Sequence, residues 1–154
     1  IYQPRVSKAM LNKIQEFVNK LNTLHVNAMV INPDYEEVTV DLKVKFYQGL
    51  DENYYKKVLN DDITKLLSPW AFEKTAGIQF GVVLHRSVII NYIEELEYVD
   101  YLEDVKLIKG SETGLKNVSA SSPRAILVSA KKHNISTDLE GCKTIIETEE
   151  TCQT

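Results

Sequence analysis

The sequence predicts an α+β domain of two layers, a mainly antiparallel sheet with helices packed on one face. The cleanest sign is a period-2 run in which Val38, Val40, Leu42, Val44 and Phe46 alternate with Thr39, Asp41, Lys43, Lys45 and Tyr47. Such a strand buries one face and wets the other, as in an antiparallel sheet covered on one side. The second sign is a pair of apolar stripes at helical spacing, one before this strand and one after it. The chain of 154 residues, 44% hydrophobic and 26% charged, is long enough for one ordinary globular domain.

The first stripe comprises Val6, Met10, Leu11, Ile14, Phe17, Val18 and Leu21, which predicts a helix over 7–22 with Pro4 and Ser7 at its start. Its opposite face carries Lys8, Asn12, Gln15 and Asn19, suited to solvent or to a partner. Residues 26–31 are β-prone and Asn32-Pro33-Asp34 punctuates them, so 26–31 and 38–46 read as a hairpin. Asp51 is placed to cap a helix over 51–68, with Glu52 in the first turn favoured by the helix dipole. Pro69 stops that helix, and Trp70 and Phe72 follow at once to seal the rim of a core.

Ile78-Gln79-Phe80-Gly81 reads as a short strand with a bend at Gly81, and Ser87 as the cap of a helix over 88–96. The three helices are expected to cover the apolar face of the 38–46 strand. Val99, Tyr101, Val105 and Leu107 are strand-like with an irregularity at Glu103-Asp104, residues 110–123 read as a loop, and 125–130 as a last strand. The domain is expected to occupy 1–136. Residues 137–154 form an acidic tail, expected to be poorly ordered from its charge and threonine content.

Charge and cysteine usage exclude several functions. Asp138, Glu140, Glu147, Glu149 and Glu150 face only Lys143 in the tail, so the whole net charge of −4 lies there and residues 1–136 sum to zero. A neutral body lacks the counterion-release term that dominates nucleic-acid affinity, so nucleic acid is not an expected partner. No apolar run approaches the ~18 residues a membrane span requires, so membrane insertion is not expected either. Cys142 and Cys152 are expected as free thiols, and His25, His85 and His133 show no metal-ligand spacing. No cofactor is implied. The start Ile1-Tyr2-Gln3-Pro4, without an initiator Met, reads as an excised piece of a longer polypeptide.

Catalytic signatures are weak. Gly110-Ser111-Glu112-Thr113-Gly114-Leu115-Lys116 has three residues between its glycines where a phosphate loop needs four, and no helix is expected after it. Asp61-Asp62 and Glu94-Glu95 are neighbours about 100° apart on a helix, unable to share a proton. Ser87 and His85 lack a glycine-rich elbow and an orienting acid. Tyr54, Tyr55, Tyr92, Tyr98 and Tyr101 cluster in mid-chain, fitted equally to an interface and to the edge of the core.

These joints occur in a distinctive order. A hairpin is followed by a helix ending in Leu67-Ser68-Pro69-Trp70, then Ile78-Gln79-Phe80-Gly81, a Ser87-capped helix and Val99-Asp100-Tyr101-Leu102. That order resembles the C-terminal region of baseplate J-like proteins. The nearest likeness is to long Bacteroidetes-type forms that also carry versions of Asn32-Pro33-Asp34-Tyr35-Glu36-Glu37-Val38 and of Ala125 through Ile135. The resemblance covers about 6–136. It implies a wedge component of a phage-tail-derived contractile injection system, assembled in the cytoplasm into a phage-tail-like particle. Wedge and hub subunits would be its partners, self-association is open, and no catalytic residues carry over.

Two functions therefore stand against each other. A structural assembly module would use an exposed apolar or aromatic surface, with Trp70, Phe72, Tyr54, Tyr55, Tyr92 and Tyr101 as candidate structural or interface residues. A small ligand-binding or hydrolase domain would use His85 or His133 as a base in a deep pocket. A weaker third reading is an adaptor that accepts a strand on an open sheet edge, which Lys43 and Lys45 would blunt.

Overall fold

The structure is a computed structural model that describes residues 2–138. The elements run α1 (Lys8–Leu21), β1 (Asp34–Phe46), α2 (Glu52–Leu67), β2 (Val83–His85), α3 (Arg86–Glu94), β3 (Val99–Lys109), β4 (Glu112–Leu115), β5 (Asn117–Ser119), β6 (Ala125–Ser129) and β7 (Asn134–Ser136). The fold is α+β, and its central strand is the alternating segment. All five inward residues, Val38, Val40, Leu42, Val44 and Phe46, are buried. Leu59 and Ile63 of α2 and Ile89 and Ile93 of α3 pack on that face, joined by Val99, Val105 and Leu107 of β3. The two-layer architecture thus rests on α2 and α3.

β1 pairs antiparallel with β3 along one edge, and β3 pairs antiparallel with β4. Along its other edge β1 pairs parallel with β6 and then with β7. β2 and β5 form a separate antiparallel pair. Glu103-Asp104 is irregular as its sequence implies. The β1–β3 register shifts between Asp41 and Lys43, Asp104 takes a positive φ of 51°, and its carboxylate meets Lys43 Nζ at 3.2 Å. Because β1 is central, Lys43 lies between β3 and β7 and blunts no open edge, while Lys45 pairs with Tyr101 of β3.

The segment ahead of β1 departs from expectation. Residues 26–31 form no strand and no hairpin; they run alongside α1. Asn19 Oδ1 accepts from the Ala28 N–H at 2.6 Å while its Nδ2 donates to Ala28 O at 3.2 Å, and Gln15 Oε1 accepts from the Val30 N–H at 3.1 Å. Asn32 closes the unit by accepting from the Val6 N–H and donating to Val6 O. These amide side chains satisfy the backbone that a sheet would otherwise have paired. Consequently α1 is not part of the helical layer: no residue of it is buried, and none belongs to the core.

Other joints are shifted. The strand expected at 78–81 begins later, at Val83, after a bend where Gly81 (φ +63°) donates to Ala125 O. Ser87 does not cap α3. His85 occupies the cap position without a side-chain bond, and the Arg86 N–H donates instead to Lys116 O at 2.9 Å. The expected loop over 110–123 contains β4 and β5. The phosphate-loop lookalike is the β3–β4 hairpin, turning at Gly110 with φ +60°. Asp51 and Ser7 do cap their helices, accepting from Tyr54 N–H and Met10 N–H respectively. Both cysteines, and the tail beyond Asp138, lie outside the described residues.

Candidate functional site

The candidate residues fall into separate places. Tyr54 and Tyr55 stand at the start of α2, ring centroids 5.1 Å apart. Tyr55 continues into a cluster with Tyr98 and Phe46, at 5.1 and 6.1 Å. Tyr98 Oη donates to Asp62 Oδ2 at 2.6 Å. Burial, then that bond and charge, push the Tyr98 phenol well above its usual range. Tyr92 is half-buried against the same core, its phenol raised by burial and by Asp62. Only Tyr54 of this group is exposed. Tyr101 is half-buried on the other face of the sheet, beneath Lys45 Nζ at 5.4 Å.

Trp70 and Phe72 form the second place, a joint between α2 and β6. Ser68, fully buried, ends α2, and its Oγ accepts the Ser129 N–H at 2.8 Å. Pro69 opens a single 3-10 turn, Pro69–Ala71. Trp70 Nε1 donates to Tyr2 O at 3.1 Å, and Phe72 meets the Tyr2 ring edge-on at 6.0 Å. Trp70 also lines an apolar cavity of about 220 Å³ with Leu66, Leu67, Leu84 and Leu127. The arm 2–5 is held at this end of the molecule, where Arg5 stacks over Tyr35 and Tyr35 Oη donates to Pro4 O.

The histidines differ sharply. His85 is exposed, its Nδ1 2.8 Å from Asn117 Oδ1. His133 is buried, and both ring nitrogens are used. Nδ1 accepts from the Val40 N–H at 3.0 Å, which leaves the proton on Nε2, directed at Ser129 Oγ at 3.0 Å. Ser129 Oγ in turn donates to Ala130 O. This Ser–His pair was not singled out in the sequence, four residues apart and without a motif. Its tautomer is the reverse of a nucleophile's base, and a backbone N–H stands where an orienting carboxylate would. Burial lowers the His133 pKa to about 4. Among the described residues, no three His, Cys, Asp or Glu side chains converge as metal ligands.

A further exposed feature lies elsewhere. Met10, Ile14, Phe17 and Leu21 of α1 remain 39–73% exposed, and Leu24, Val26, Met29 and Ile31 of the following segment are exposed beside them. The apolar stripe was plain in the sequence, but its outward direction was not.

A two-layer α+β body that carries a helix with its apolar face exposed has the form of a protein that packs against others. The family profile of the PVC11-like baseplate proteins (Baseplate protein PVC11-like) matches residues 1–127, and the chain belongs to that family. Its fold is similar to a chain in the cryo-EM structure of the anti-feeding prophage (AFP) baseplate, 6-fold symmetrised. The TM-score is 0.66 at 16% identity, over 82% of this chain and 26% of that one. The present chain thus spans about a quarter of that relative. No curated protein matches the sequence. The likeness to baseplate proteins read from the joints agrees with both findings. No helix among the described residues is long and apolar enough to cross a membrane.

Proposed function

We propose that this chain is a structural module of a baseplate wedge in a phage-tail-like contractile injection system, acting through contacts with wedge and hub subunits and without substrate turnover. Membership of the baseplate family supports the setting. The observation that carries the mode of action is the apolar face of α1, directed away from the core. A monomer ordinarily exposes no more than a few hundred Å² of contiguous apolar surface, and larger patches mark association sites. Assembly in the cytoplasm and domain limits at 1–136 belong to the same proposal.

The hydrolase alternative draws no support from geometry. His133 has no free lone pair, and His85 stands exposed beside an amide. The test is localisation in assembled particles. Purified contractile particles are expected to hold the chain in stoichiometric amount in the baseplate and to lose complete baseplates when its gene is deleted. Intact baseplates after deletion would refute the proposal.

A further inference from the structure

The exposed residues of α1 follow a regular order. Met10, Ile14, Phe17 and Leu21 are spaced four, three and four apart, the alternation of a coiled-coil seam, and they span about 17 Å along the helix. One flank of the seam, Leu11 and Val18, is already half-buried on the side where Gln15 and Asn19 hold residues 28–30. The other flank consists of Lys13 and Lys20, both exposed. Glu16 is the only acid on α1, against Lys8, Lys13 and Lys20. With Leu24, Val26, Met29 and Ile31 of the following segment, the unit leaves eight large apolar side chains exposed, more than singly scattered surface residues would explain.

We propose that this seam docks an amphipathic helix of a different baseplate subunit, one with apolar residues at heptad spacing and a row of Asp or Glu facing Lys13 and Lys20. The proposal rests on the baseplate reading and names the surface and the partner's chemistry. Self-pairing is disfavoured by charge. An antiparallel pair of α1 helices brings Lys13 opposite Lys20 of the second copy, and a parallel pair brings lysines to the apolar flank that 26–31 already covers. A lipid surface is also a poorer match, because interfacial helices use a wide apolar face with many cations, and this one has a narrow seam with three.

The test places a photo-crosslinking phenylalanine analogue at position 17 in baseplates assembled in the producing cell. Phe17 lies outside the core, so the substitution leaves folding intact. The expected product is a crosslink to a helix of another subunit bearing an acidic row. Combining Lys13→Glu with Lys20→Glu is expected to reduce its yield at least tenfold. A crosslink to a second copy of this chain, to lipid, or to a segment without acids would overturn the proposal. So would normal baseplate entry of a Phe17→Glu chain, which leaves the broader reading intact. Absence of the wild-type chain from particles would overturn both.

Discussion

Between β6 and β7 the chain leaves the edge of β1, and there the ring of His133 takes the Val40 N–H that a strand would otherwise accept. That role requires the neutral imidazole. Burial sets the folded-state pKa near 4, below the ~6.5 of an unfolded histidine, so the unfolded chain binds more protons between those values. Stability from this group is therefore full above about pH 6.5 and falls as pH drops toward 4. Urea unfolding is expected to show a loss of roughly 2 kcal/mol between pH 7 and pH 5, and a His133→Gln variant is expected to lack that component. Ser68 acts at the same scale. Its hydroxyl serves the Ser129 N–H inside the joint, and Ser68→Ala leaves that donor buried and unpaired. The expected cost is about 1–3 kcal/mol by denaturant titration. Glu36 is held differently. Burial pulls its carboxyl up, but hydrogen bonds from Ser121 and the ammonium of Lys109 outweigh that and keep it below its usual range.

The helices divide into those that make the core and one that does not. Ile63→Ala in α2 removes a fully buried side chain and is expected to cost about 2–5 kcal/mol. Phe17→Ser in α1 is expected to leave stability within about 0.5 kcal/mol, since it removes no core contact. The same unfolding assay checks both. The sequence made β1 legible because a period of two has one meaning when every alternate residue is apolar, and it made α2 legible through Asp51 and Pro69. It did not reveal the direction of α1, because a helical stripe records that a face is apolar and not what covers it. Residues 26–31 misled for a related reason. Their β-prone side chains suit extended backbone, and whether a sheet or the amides of Gln15 and Asn19 pair it is a tertiary matter. β4, β5 and β7 escaped because three or four residues carry too little periodicity. The tyrosines were found as a group in sequence but separate in space, with Tyr55, Tyr92 and Tyr98 at the core and Tyr101 on the opposite face of the sheet.

At the scale of the molecule, a closed body built on β1 carries a lateral unit, α1 with residues 22–33, tied to it by the arm at Tyr2–Arg5 and by the strand that leaves Asn32. The body is complete without that unit's apolar face, which the proposed docking would cover on assembly. Hydrogen–deuterium exchange, compared between the free chain and assembled baseplates, tests this most directly. Strong new protection is expected across residues 8–31 on assembly, with little change in β1 and in α2 around Leu59 and Ile63. Equal exchange of 8–31 in both states, with the new protection confined to other surfaces, would contradict it.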